Sequence, residues 1–182
     1  MLRRLRGIFA NGYYHVQLST DIIGVEVCAA LKNAYTLAIG MAEGLLERSG
    51  GVDSAGAGMH NAAAALFGMS AREMMRIVGL MGGGPENVAW LPGVGDQYVT
   101  CVGGRTIRMG RLLGKGLTYT QACREMAEET LEGAYVVQQL DGALRAWEAA
   151  GALKPEELPL TRMLVRVITA DAPVELPFHF AH

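Results

Sequence analysis

Hydrophobic and polar positions alternate along this chain at a period that changes only once. Between residues 13 and 18 the segment YYHVQL alternates partly at a period of two and is rich in β-prone side chains, predicting one short strand. From residue 21 onward the apolar positions recur at three and four, the spacing of a helix face. Ser19, Thr20 or Asp21 can cap a long helix to about Leu46, ended by Gly50-Gly51. A second helix is predicted over roughly 59 to 79, rich in Ala and Met. GGGPENVAWLPGVGD reads as a break, a short helix over Glu86 to Leu91, and a second break. A further helix begins near Arg105 and ends at GKG, residues 114 to 116. Thr118 with Gln121 forms a capping-box pattern for a short helix. Glu132 to Ala149 is helical and closed by Gly151, and Pro155 and Pro159 introduce a last helix to about Ala170. One strand makes no sheet, so it pairs with another chain or stays unpaired. The fold class is all-α, with helices packed around one core.

One residue breaks the pattern of the first long helix. Ile22, Val25, Ala29, Lys32, Thr36 and Ile39 share a face, and Lys32 stands in the middle of it. The chain has only three lysines against thirteen arginines, 16 basic residues in all. Lys32 is either an edge lysine with a buried stem and a solvated ammonium, or a desolvated lysine facing a cleft. In the second case it can donate a proton or polarise a carbonyl, with Asn33 as a further donor.

The 51% apolar content and 182-residue length suit one globular domain with a sizeable core. A net charge of −2 gives no reason to expect nucleic acid or an anionic membrane as partner. Cys28, Cys101 and Cys123 form no CxxC and have no His at metal-ligand spacing, so free thiols are expected rather than a zinc site or a disulfide framework. No apolar run reaches the roughly 18 residues that span a bilayer, and no h-region follows the basic start MLRRLRGIF, so a cytoplasmic protein is expected.

LPGVGDQYVTCVGGRTIRMG, residues 91 to 110, carries the second candidate site. Gly93, Gly95, Gly103 and Gly104 mark two tight backbone places around Asp96 and Thr100. Gly-Gly-Arg opening a helix gathers free N–H groups and a guanidinium, which suits an anion. An ordinary glycine turn with a surface arginine has the same pattern. No GxGxxG follows a strand, so there is no dinucleotide fingerprint. His15, His60, His179 and His182 are scattered and suit solvated or structural roles, and the ten methionines suit core filling.

In order, STDIIGVEVCAALKN, AEGL, GVGDQYVTCVGGRTIRMGRLLGKG and EETLEGA resemble the C-terminal substrate domain of NAD(P)-dependent glycerol-3-phosphate dehydrogenase, from about Arg6 onward. The resemblance implies a multi-helix bundle of the 6-phosphogluconate-dehydrogenase-C-terminal-like type. Residues 1–20 would then be a remnant strand and linker of a missing Rossmann half, and 21–182 the substrate-binding domain. It implies reversible reduction of dihydroxyacetone phosphate to glycerol 3-phosphate. Lys32 would be the catalytic lysine and Asp96 its carboxylate partner. Asn33 and Thr100 would contact substrate, Arg105 would grip the phosphate, and Thr106 would stand where the family usually has Asn. Arg105 and Glu132 would reach the NAD or NADP cofactor. An arginine of the family's second helix falls near Met69 here.

The Rossmann half is absent from this sequence, so turnover would need a separate Rossmann-domain chain, and these residues alone would not hold the dinucleotide usefully. Met1 directly before family-like sequence points to a genuine start, as a split-gene product or a truncated descendant. A homodimer is expected, because the family dimerises. The alternative is a non-catalytic helical module that dimerises or binds a phosphometabolite. A hydroxyacid or ketopantoate reductase type ranks lower, because ALKN and GDxxxTC with GGR fit glycerol phosphate chemistry better.

Overall fold

A computed structural model describes residues 1–50, 60–126, 129 and 131–178. Among these residues there are eight α-helices and no strand: α1 (Leu2–Phe9), α2 (Ile22–Arg48), α3 (His60–Leu80), α4 (Asp96–Val102), α5 (Arg105–Gly114), α6 (Tyr119–Glu125), α7 (Glu132–Ala149) and α8 (Pro159–Ala170). The 27-residue α2 is the axis of the bundle, and α3, α4, α5, α7 and α8 all pack on it. Tyr35, Leu37 and Met41 on α2 meet Met74 and Ile77 of α3 and Leu160 and Met163 of α8 in the core.

By length and composition α2 is apolar enough to cross a bilayer, contrary to the expectation of no such stretch, but 50% of its most apolar window is buried inside the fold. It is the core helix.

The tightest packing is between α2 and α5. Gly40 and Gly44 on α2 face Gly110 and Gly114 on α5. A Cβ at Gly44 would lie 2.1 Å from the Arg111 carbonyl oxygen, and one at Gly110 would lie 2.3 Å from that of Leu37. Two glycines four residues apart on each helix therefore let the backbones touch, and any side chain there would drive them apart.

Several helix starts are held by carboxylates. Asp21 caps α2, accepting from the Gly24 amide at 2.8 Å, while its other oxygen accepts from the Gly84 amide and Asn87 Nδ2, each at 2.7 Å. The α3–α4 connection is thereby tied to the start of α2. The buried Glu73 of α3 accepts from the Leu160 and Thr161 amides, each at 2.7 Å, and from the Thr161 hydroxyl at 2.6 Å, so α8 is capped from another helix. Asp171 accepts from the Thr120 amide at 2.8 Å and its hydroxyl at 2.6 Å, supplementing the Thr118–Gln121 capping box of α6.

The predicted strand over 13–18 does not form. Asn11 Oδ1 accepts from the Tyr13 and Tyr14 amides at 2.9 Å, making a local turn, and the segment then runs on without a ladder. With no second strand to receive its N–H groups, β-propensity alone gives no strand. The helix α1 lies where none was expected. Leu2, Leu5 and Phe9 recur at helical spacing, yet no residue of α1 is buried. The short helix expected over 86–91 is a single 3₁₀ turn, Pro85–Asn87. The expected second break ends at Asp96, where α4 begins, a helix that was not expected. A wide turn, Leu91–Gly95, leads straight into it, and Gly93 fits there only without a Cβ, which would meet the Val88 carbonyl oxygen at 2.2 Å. Gly51, Met59, His179 and His182 lie outside the described residues, as do parts of the EETLEGA block.

Candidate active site

Lys32 lies midway along α2, and Asp96 is the first residue of α4. Lys32 Nζ donates to Asp96 Oδ2, joining residues 64 apart in sequence. The Lys32 side chain is 19% exposed and that of Asp96 42% exposed. The lysine stem is therefore taken up by the fold, while the ion pair reaches the surface. The ammonium is paired with a carboxylate. An ammonium held by one carboxylate oxygen can give a proton to an adjacent ketone oxygen, and the neutral amine left behind can take one from an alcohol.

Neighbouring hydroxyls hold the backbone beneath this pair. Thr36 Oγ1 donates to the Lys32 carbonyl at 2.8 Å and lies 3.5 Å from Cys101 Sγ, linking α2 to α4. Thr100 Oγ1 donates to the Asp96 carbonyl at 2.7 Å, so its hydroxyl is engaged within its own helix. Burial pushes the Cys28 thiol up to about 11 and raises that of Cys101, which makes both poor nucleophiles.

A second group of predicted residues gathers where α2, α5 and α7 meet. Arg105 opens α5, Glu132 opens α7, and Arg105 NH2 lies 3.6 Å from Glu132 Oε1. A Cβ at Gly133 would stand 2.6 Å from the Asn33 carbonyl oxygen and 3.1 Å from Thr106 Cγ2. Asn33, Thr106 and the first turn of α7 are thus in direct contact, and only glycine allows it. The two groups connect through consecutive residues, Lys32 and Asn33. Neither α5 nor α7 has a side-chain cap, unlike α2, α6 and α8. Gly104, at φ 110°, supplies the left-handed turn that starts α5.

The structure adds residues that the sequence reading passed over. Gln97, next to Asp96, is fully buried; its Nε2 donates to Ser70 Oγ at 2.7 Å, and Ser70 Oγ donates to the Phe67 carbonyl at 2.7 Å. Gln97 Oε1 has no partner among the described residues. This chain of bonds anchors α4 on α3 beside the Lys32–Asp96 pair. A glutamine inside GVGDQYVTC is silent about burial, so no sequence signal marked it. Met69 packs half-buried against the core. His15 and His60 are exposed.

The all-helical domain thus presents a lysine–aspartate pair between α2 and α4 and an arginine at the start of α5. The family model for the NAD-dependent glycerol-3-phosphate dehydrogenase C-terminus matches residues 21–178, and the chain belongs to that family. An NADP(+)-dependent glycerol-3-phosphate dehydrogenase of Archaeoglobus fulgidus is 31% identical over 172 residues, covering 94% of this chain and 48% of that protein. A glycerol-3-phosphate dehydrogenase [NAD(P)+] of Bacillus cereus is 37% identical over 169 residues, covering 90% of this chain and 43% of that protein. The crystal structure of glycerol-3-phosphate dehydrogenase from Coxiella burnetii is 30% identical with a TM-score of 0.72, covering 93% of this chain and 47% of that one. The chain spans about half the length of the curated relatives it matches.

Proposed function

We propose that this chain is the substrate-binding and proton-transferring half of a glycerol-3-phosphate dehydrogenase, interconverting dihydroxyacetone phosphate and glycerol 3-phosphate. The observation that carries the reading is the ion pair between Lys32 and Asp96, built from two helices at a surface-reaching position. In the reducing direction the Lys32 ammonium gives its proton to the C2 oxygen as negative charge develops there. In the oxidising direction the amine takes the hydroxyl proton, and Asp96 holds the lysine in place and stabilises its charged form. Arg105 binds the phosphate, Thr106 and Asn33 flank it, and Thr100 supports Asp96 from below.

NAD or NADP supplies or takes the hydride. Among the described residues this chain offers that group one fitted side chain, the exposed carboxylate of Glu132, a good acceptor for hydroxyls. Among the described residues it offers no strand–glycine–helix cradle. The dinucleotide's main grip therefore belongs to a nucleotide-binding half, joined to this one or supplied as a separate chain. Residues 1–20 are the edge of that half and 21–182 the substrate-binding domain. Exposed Leu5, Phe9 and Tyr14 and, across a groove of about 1010 Å³, exposed Trp90 and Leu91 support such a docking face. The setting we infer is cytoplasmic.

The test mixes this chain with the nucleotide-binding half of the Archaeoglobus fulgidus relative and follows NADPH oxidation with dihydroxyacetone phosphate. Turnover is expected, and Lys32→Ala should lower it by roughly 10²–10⁴-fold. A competent mixture that keeps its rate after that change removes Lys32 from the chemistry. The same exposed apolar face favours a second reading, a non-catalytic module that binds a phosphometabolite and covers this face with a second copy of itself. Saturable glycerol 3-phosphate binding, a dimer in sedimentation and no turnover in any mixture would establish it.

A further inference from the structure

We infer that Glu132 tunes the affinity of this site for phosphate, by occupying the Arg105 guanidinium as a displaceable internal anion; this rests on the reading that Arg105 receives the substrate phosphate. Arg105 is the first residue of α5, where a cation opposes the helix dipole, so local helix energetics do not account for it. Its partner is the first residue of α7. Their contact is an ion pair at 3.6 Å without a hydrogen bond, and the two side chains are 52% and 59% exposed. One turn further along α5 the same pairing recurs in closed form: Arg108 NH1 donates to Glu129 Oε1 at 2.8 Å, and Glu129 is only 26% exposed. Two arginines of one helix thus meet two glutamates, one just before α7 and one opening it, one pair locked and one loose.

The loose pair is built to open on the side-chain level alone. Gly133 is wedged against the Asn33 carbonyl and the Thr106 methyl, so the first turn of α7 stays in place and only the Glu132 side chain swings. An exposed ion pair is weak, and a phosphate carries more charge than a carboxylate and can bind the guanidinium by two oxygens. Phosphate therefore displaces Glu132 from Arg105. The displaced carboxylate remains close by and repels the bound anion, which lowers affinity in proportion to ligand charge. Removing the carboxylate charge removes both the competition and the repulsion.

Inorganic phosphate and glycerol 3-phosphate are titrated calorimetrically into the purified chain and its Glu132→Gln, Arg105→Ala and double variants, with melting curves confirming that each is folded. Glu132→Gln should tighten phosphate binding about fivefold, a gain that a merely damaged site would not show. The gain should vanish in the Arg105→Ala background. Unchanged or weaker binding by Glu132→Gln, with Arg105→Ala still impaired, would overturn the inference and leave the phosphate reading standing. Binding that ignores Arg105 in both the parent and the Glu132→Gln chain would overturn the phosphate reading, and this inference with it.

Discussion

Lys32 owes its pairing to the surroundings of its stem. Four-fifths of the side chain is covered, and among the described residues its ammonium meets the carboxylate of Asp96. That carboxylate is held by the first turn of α4, which Gln97 fastens to Ser70 on α3. The fastening is only partly satisfied, since Gln97 Oε1 lacks a partner among the described residues. An orphaned buried polar group costs about 1–3 kcal/mol, whereas removing both members of a buried pair is close to neutral. Ser70→Ala, which orphans the amide as well, should therefore lower unfolding free energy by about 1–3 kcal/mol. Ser70→Ala with Gln97→Leu should recover most of that loss. Urea denaturation of the three chains checks the order, and a double variant less stable than the single would contradict it. Lys32, Asp96 and Arg105 stood out in the sequence as candidates because they sit in short motifs whose chemistry is coherent. Gln97 did not, because burial of a polar side chain is decided by what packs over it.

At the level of elements, the helix boundaries were largely written in caps and breakers. Asp21 before α2, the Thr118–Gln121 box before α6, Glu132 to Ala149 for α7 and Pro159 for α8 all stand where local chemistry placed them. The pairing of α2 with α5 was not legible, although Gly40, Gly44, Gly110 and Gly114 are plain in the chain. A glycine mid-helix signals weakness locally, and its value as a contact appears only when a second backbone arrives. Gly44→Ala or Gly110→Ala should cost about 1–3 kcal/mol, because the new methyl meets backbone that cannot rotate away. Gly142→Ala on α7, with nothing within 4 Å of its Cβ, should instead stabilise by roughly 0.5–1 kcal/mol. Equal effects at both kinds of site, in matched thermal melts, would refute the zipper.

The caps also make a pH prediction. Backbone amides, those of Gly24 and Gly84, hold the Asp21 carboxyl below its ordinary value, and the Thr120 hydroxyl and amide do the same for Asp171. Folded-state pKa values lie below unfolded ones, so this stabilisation is present above about pH 4 and is lost as pH falls through the folded values. Denaturation midpoints should drop between about pH 4 and pH 2. Asp21→Asn should be less stable at neutral pH and should fall less steeply; an identical slope would exclude Asp21 as a contributor.

On the scale of the whole molecule, one end is largely bare. Among the described residues α2, α3, α5, α7 and α8 contribute apolar side chains to the core, while α1 buries none and Phe9 and Tyr13 are 59% and 100% exposed. A docking half that binds only the folded chain stabilises it by mass action. Adding the nucleotide-binding half of a relative at saturating concentration should raise the melting temperature of this chain, and Phe9→Ser should diminish the rise. No shift for the parent chain would show that this face is not where such a half docks. The sequence by itself determined the all-helical class, most helix boundaries and the identity of Lys32, Asp96 and Arg105 as candidates, because helix periodicity, capping and short motifs are local. Tertiary structure alone decided that residues 13–18 form no strand, that Lys32 meets Asp96, that Arg105 meets Glu132, and that four glycines bring α2 and α5 into contact. Those outcomes depend on which distant atoms arrive at a surface, and the energy of burial and pairing is assigned only once they have.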